Sequence, residues 1–236
     1  MKIKMVGTGS MISKRNPACY MINDKIMIDL PNGIVKILKN VDLFDCVEYV
    51  FITHMHGDHI FDLPFLFLDR AKSDRKLTVI LSKRWFKKLK KLVKIAFPRE
   101  YYNIFYNSKI EFVDNSKPYL IDDVKVQSFA VSHGTMKPSF GYVVKQDDNV
   151  VTFTGDTALC SNVIEKAKES NYLICDCTLK VGNEKHMGIN DIEFLLKNNP
   201  CLKIVPSHTS INAKDALLKF DHENLIIKED MEEIIL

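Results

Sequence analysis

Thr53-His54-Met55-His56-Gly57-Asp58-His59 sets three imidazoles and a carboxylate within six residues. Such crowding is hard to explain as packing, because imidazole and carboxylate groups need polar partners when they are brought together. In an extended segment His54 and His56 face the same side and can share one metal. Gly57 is expected to permit a sharp turn. Asp58 and His59 would then point elsewhere, towards a second ion. Imidazole with one or two carboxylates suits zinc, which keeps an open position in catalytic sites. Manganese or iron are alternatives, since this donor set does not select by ligand type.

The rest of the pattern lies downstream. His133 stands in Val131-Ser132-His133-Gly134, Asp156 in Thr154-Gly155-Asp156-Thr157, His186 in His186-Met187-Gly188 and His208 in Pro206-Ser207-His208-Thr209. Six of the seven histidines thus fall in this set, and His222 is left as an ordinary surface residue. Each downstream member follows a β-rich run, where active-site loops begin.

Composition sets the frame. A chain of 236 residues is long enough to bury a core as one domain spanning 1–236, without disulfides. Net charge is +3 and the pI about 8.4, too mild a bias to name a partner. The six cysteines form no C-x-x-C pair and read as buried free thiols, which suits a reducing cytoplasm. No apolar run reaches the length of a membrane span, and the alternating start Met1–Val6 is no signal peptide.

Strands and helices alternate along the chain. Strands are expected near 2–6, 18–22, 25–29, 48–52, 77–81, 109–113, 124–131, 140–145, 149–153, 171–176 and 202–206. Helices are expected near 32–39, 61–71, 83–96, 161–169, 190–198 and 212–220, with Asn190 and Asn212 as N-caps. In 83–96 the apolar stripe is Trp85, Leu89, Leu92, Val93 and Ala96. Its other face carries Lys83, Arg84, Lys87, Lys88, Lys90, Lys91 and Lys94. This face reads first as solvated, although such density can also bind phosphate backbones. Gly7-Thr8-Gly9-Ser10 lacks the lysine of a P-loop and reads as a structural turn.

These residues resemble the metallo-β-lactamase superfamily, whose H-x-H-x-D-H hallmark is met at 54–59. The resemblance covers nearly the whole chain and implies an α/β fold, the four-layer αββα sandwich, with the site at the edge between the sheets. It also implies that His54, His56 and His133 hold one divalent metal and Asp58, His59 and His208 the other, with Asp156 bridging them. Asp176-Cys177-Thr178 and His186 are similar to the tRNase Z and phosphodiesterase branch, as are Lys4–Ser10, Arg15-Asn16 and Ile28-Asp29. In that branch His186 would face the scissile phosphate, Asp176 would orient its ring, and Asp58 would take a proton from the attacking water.

One departure matters. Classical tRNase Z enzymes carry a long tRNA-gripping arm between the third histidine and the bridging aspartate. Here His133 and Asp156 are 23 positions apart, filled by one hairpin at Ser139–Phe153. The expectation is a cytoplasmic phosphodiesterase with two zinc ions, acting on small or cyclic phosphodiesters or short nucleic acid. Carboxyl-ester, lactone or thioester hydrolysis on the same metals and tRNA 3′ processing are the rival activities. A nucleic-acid-binding protein with a structural metal is the rival class. The partners implied are a small-molecule or nucleotide phosphodiester substrate, with nucleic acid and a homodimer as further candidates, and no membrane.

Overall fold

The structure is a computed structural model that describes residues 1–236. Two mixed sheets lie face to face. The first is built from β1 (Lys2–Gly7), β2 (Cys19–Ile22), β3 (Ile26–Ile28), β4 (Tyr49–Phe51), β5 (Leu77–Leu81), β6 (Ile110–Asp114) and β13 (Glu232–Ile235). Its spatial order is β13-β1-β2-β3-β4-β5-β6. The second contains β7 (Tyr119–Ile121), β8 (Val124–Ala130), β9 (Phe140–Gln146), β10 (Asn149–Phe153), β11 (Tyr172–Asp176) and β12 (Lys203–Ser207), in the order β12-β11-β10-β9-β8-β7.

The strand pattern explains the layers. Side chains alternate between faces with a period of two. Met27, Val50, Ile52, Val79 and Leu81 point outward from the first sheet. Ile26, Ile28, Phe51 and Ile80 point inward. The inward set meets Tyr142, Val144, Val151, Phe153, Ile174 and Val205 of the second sheet, which closes the central core. Outside the first sheet pack α1 (Ile34–Asn40), α3 (Leu63–Ser73) and α4 (Lys83–Ala96); a short α2 (Gly57–Ile60) precedes α3 at the site. Outside the second sheet pack α5 (Ser161–Lys168), α6 (Ile189–Asn198) and α7 (Ile211–Leu217). The result is the expected αββα sandwich, with a core on each side of both sheets.

Strand direction then fixes where loops gather. β3, β4, β5 and β6 run parallel in one sheet, and β10, β11 and β12 in the other. β8 runs with β10, because both are antiparallel to β9. The segments after β3, β4, β8, β10, β11 and β12 therefore emerge along one rim. Carboxyl ends of strands are where open α/β sheets place their sites.

Several local expectations change. Ser210, not Asn212, caps α7, its hydroxyl accepting from Ala213 N–H. Gly188 precedes α6, where Asp191 accepts from the Gly188 N–H, while Asn190 reaches back to Gly182 N–H. Gly57 opens α2 rather than making a sharp turn, and a Cβ there would strike the Phe61 ring. Ala96 is exposed and leaves the apolar stripe of α4. Cys46 and Cys201 are exposed, so only Cys19, Cys175 and Cys177 are fully buried thiols. No helix is long and apolar enough to cross a membrane.

The central core also braces the rim. Tyr142 is buried, and its hydroxyl donates to Ile52 C=O at 2.7 Å, one residue before the histidine-rich loop. Tyr142→Phe should leave that buried carbonyl without its partner and lower unfolding free energy by about 1–3 kcal/mol. Urea denaturation checks this, and an unchanged midpoint would contradict the bracing role.

Candidate metal centre

The rim brings together every histidine and carboxylate singled out from the sequence. Thr53–His59 follows β4, His133 follows β8, Asp156 follows β10, Asp176 ends β11, and His208 follows β12. His222 lies apart, where its Nδ1 accepts from Asn224 N–H. Three overlapping groups have donor atoms within 4.8 Å of one another: His54, His56, His133 and Asp156; Asp58, His59 and His208; and Asp156, His186 and His208.

In the first group His56 Nδ1 lies 2.9 Å from His54 Nε2 and 3.2 Å from His133 Nε2. Asp156 Oδ2 is 4.0 Å from His54 Nε2 and 3.9 Å from His133 Nε2. In the second, His208 Nε2 is 3.3 Å from Asp58 Oδ2. The other carboxylate oxygen of Asp156 lies 3.4 Å from His59 Nε2, so Asp156 touches both groups. Zinc bonds of about 2.0–2.2 Å in a tetrahedron set neighbouring donors roughly 3.3–3.6 Å apart, so these spacings fit divalent cations. One atom makes the case sharper. His59 Nε2 is fully buried and has no hydrogen-bond partner, although buried polar atoms are almost always paired.

The outer nitrogens of His54, His59, His133 and His208 are held. His59 Nδ1 meets Asp29 Oδ2 at 2.6 Å, and Asp29 also accepts from the Thr53 N–H and hydroxyl. With its proton committed to Asp29, the Thr53 hydroxyl accepts from His54 Nδ1 at 3.0 Å. His133 Nδ1 donates to Lys185 C=O, and His208 Nδ1 to the Thr178 hydroxyl at 2.8 Å. These contacts assign the tautomer that turns each Nε2 lone pair inward, the usual arrangement around metal-ligating histidines. His56 is the exception and presents Nδ1. Asp29 and Thr178 received no role from the sequence. Both stand in stretches that resemble the tRNase Z and phosphodiesterase branch, Ile28-Asp29 and Asp176-Cys177-Thr178, without a role attached to either.

Backbone conformation is bent to the same end. His208 sits at φ 52°, a left-handed conformation uncommon outside glycine. The strain is held by the N-terminal turn: Thr209 N–H donates to Thr8 C=O, and Arg15 Nη2 donates to Thr209 C=O at 2.8 Å. Gly155 adopts φ 60°, and a Cβ there would come within 2.9 Å of Phe140 C=O. Only glycine fits before Asp156 without displacing the backbone.

Electrostatics differ between the groups. Burial, reinforced by neighbouring His59, pushes His54 well below its ordinary range, and burial lowers His56 too. These rings are neutral with lone pairs free. In the second group burial opposes charge but is outweighed. Asp156 and Asp29 raise His59 well above its usual range, and Asp156 and Asp58 raise His208. Asp156 in turn is held far below the usual carboxylate range, because His208 and His59 overcome its burial. The same carboxylates that favour a second proton on His59 and His208 would favour a cation in its place at the inward Nε2 atoms.

His186 stands at the open side, half-buried, its ring stacked on His208 at 5.6 Å between centroids. Its Nδ1 meets Asp176 Oδ2 at 2.7 Å. Burial opposes its charge, but the hydrogen bond to Asp176 wins and raises its pKa. Thr178 links this pair to the second group, donating to Asp176 Oδ1 while accepting from His208. A half-buried His56 on the other side leaves the centre reachable from solvent.

Comparison with known proteins agrees with this geometry. The family described as "Anti-Pycsar protein Apyc1" matches residues 1–227. A ribonuclease Z from Macrococcus caseolyticus is 23% identical over 222 residues, covering 70% of this chain and 71% of that protein. The metallo-β-lactamase fold protein YhfI from Bacillus subtilis superposes with TM-score 0.79 at 14% identity, over 99% of this chain and 98% of its own. Human tRNase Z, short form, gives 0.75 at 18% identity, over 100% and 99%. With its match running almost from end to end, the chain belongs to the Anti-Pycsar protein Apyc1 family, and its fold is that of the metallo-β-lactamase fold proteins.

Proposed function

We propose that the protein is a dinuclear zinc phosphodiesterase that cleaves small or cyclic phosphodiesters or short nucleic acid, with residues 1–236 acting as one catalytic unit. In this reading His54, His56 and His133 hold one cation, Asp58, His59 and His208 hold the other, and Asp156 joins them. Manganese or iron would find the same donors acceptable. Bound cations would supply neutralisation of phosphate charge and acidification of water. The chain's own groups do the rest. Asp58 is held in its anionic form, since His208 and His59 outweigh its burial, and it can accept a proton from attacking water.

The observation that carries the reading is the His186–Asp176 pair, with His186 within 4.8 Å of Asp156 and His208 donor atoms. A protonated imidazole there can stabilise charge on a phosphorane oxygen or give its proton to the leaving oxygen. Asp176 fixes the ring and keeps the proton on it. The short β9–β10 hairpin, turning at Asp147-Asp148, occupies the span that bears an arm in classical tRNase Z enzymes. That favours a small substrate, while the name ribonuclease Z carried by relatives supports phosphodiester chemistry.

Protein purified without chelator should hold close to two equivalents of divalent metal by elemental analysis. Asp156→Ala should lose part of that content and cut turnover by more than about 100-fold, since even outer-shell partners of metals are worth 10–100-fold. Full metal content and wild-type turnover in this variant would remove Asp156 from the centre.

His186→Ala should lower kcat and kcat/KM together by about 10²–10⁴-fold on an unactivated phosphodiester, with metal content kept. The loss should shrink with a nitrophenolate leaving group, which departs without a proton. Asp176→Asn should show a smaller defect of the same kind. Parental activity of His186→Ala on the unactivated phosphodiester would sink the proposal and leave carboxyl-ester, lactone or thioester hydrolysis as the chemistry to test.

Substrate size gives a separate check. The isolated protein should cleave cyclic and small linear phosphodiesters with higher kcat/KM than precursor tRNA. Efficient and accurate removal of a tRNA 3′ trailer would instead favour the processing role.

A further inference from the structure

The excess positive charge of the protein is concentrated on one helix. The chain has 33 Lys and Arg against 30 Asp and Glu, and the seven cations of α4 leave the remainder at a net −4. No acidic residue lies within Lys83–Ala96. None of the seven cationic side chains makes a salt bridge, although Lys and Arg elsewhere in the fold do. The nearest carboxylate contact, from Asp114, is to the backbone N–H of Lys83. At 100° per residue the seven side chains cover an arc of about 160°, over a length of about 16 Å. The opposite face, with Trp85, Leu89 and Val93, is buried in the core.

Exposed aromatic rings adjoin this face. Tyr102 is 64% exposed and Tyr106 57%, and their ring centroids lie 5.0 Å apart. Lys90 Nζ donates to the Tyr106 hydroxyl at 3.1 Å and so ties the rings to the helix. The helix is also tied to the segments that follow two site histidines. Trp85 Nε1 donates to Pro138 C=O, five residues past His133, and Phe97 at its C-terminal end packs on Phe65, six residues past His59.

We propose that the exposed face of α4, with Tyr102 and Tyr106, is a docking surface for single-stranded nucleic acid. Cations without a carboxylate partner suit a phosphate backbone, although Lys88, Lys90 and Lys94 also rest on aromatic rings, and exposed rings offer a stacking platform that unpaired bases can use. An anionic membrane fits less well, because the apolar stripe of the helix is already buried against the protein. This surface lies outside the ligand set of the proposed phosphodiesterase and stands or falls separately from it.

Fluorescence polarisation with a labelled oligouridylate tests it on the full-length, metal-loaded protein, across a salt series. Inorganic phosphate at a fixed concentration occupies the metal centre throughout the titration, so that binding there does not contribute. Binding should weaken steeply with salt. Lys87→Gln/Lys91→Gln/Lys94→Gln should weaken binding by about 10-fold or more. It should also reduce the log–log salt slope by about 2, because each neutralised phosphate of a single strand contributes about 0.7. Tyr102→Ala/Tyr106→Ala should cost at least about 5-fold with the salt slope kept, because stacking releases no counterions. Both variants should keep the parent's circular dichroism spectrum and thermal unfolding midpoint, which shows that they are folded. The proposal is overturned if the parent fails to bind at low salt or if the lysine variant binds equally well. It is also overturned if duplex binds as tightly as single strand regardless of the tyrosines, or if only phosphatidylserine vesicles bind.

Discussion

A buried carboxylate among histidines dictates most of what surrounds it. Asp156 is 3% exposed and meets both histidine groups through its two oxygens. Burying such a charge is costly unless it is paired. Positive charge must therefore be held around it, as protons on His59 and His208 or as a cation. Fixing those partners requires the outer contacts of Asp29, Thr53 and Thr178. These in turn require strand ends from both sheets to arrive at one rim. The mixed strand order of the sandwich meets that demand.

A graded environment follows across a short distance. His54 and His56 are pushed down because burial dominates there, whereas His59 and His208 are raised because their carboxylates outweigh the cost of burial. His186 lies at the outer limit of this gradient, where half-burial and Asp176 together favour a proton on a ring that solvent can still reach. Groups with separated proton affinities, fixed side by side, are what acid–base chemistry at neutral pH needs.

Much of this was legible in the sequence, for a physical reason. His54, His56, Asp58 and His59 are nearly contiguous, so their convergence needs only local geometry. Strands such as β4 and β11 are apolar runs with sharp ends, and their layers follow from alternation. What escaped were features set by distant contacts. β7 and β13 are short, with weak periodicity, and exist because β8 and β1 offer edges for them. The caps of α6 and α7 moved because Asn190 is claimed by Gly182, and Ser210 lies closer to the turn from β12. Asp29 could not be placed without knowing that β3 and β4 are parallel neighbours, which brings it opposite Thr53. The left-handed turn at His208 depends on Thr8 and Arg15, some 200 positions earlier in the chain.

The pairing of β1 with β13 has a consequence for how the molecule is made. During synthesis β1 finds β2 soon after it is made, yet its other edge has no partner until Glu232–Ile235 has been synthesised. Until then this strand presents open N–H and C=O groups along one side, the kind of edge that invites association between chains. Closing it spans nearly the full sequence, and contacts of such range form slowly. A strand made early is thus sealed late. The interval before Ile234 reaches Ile3 is the period in which the nascent protein is most open to aggregation.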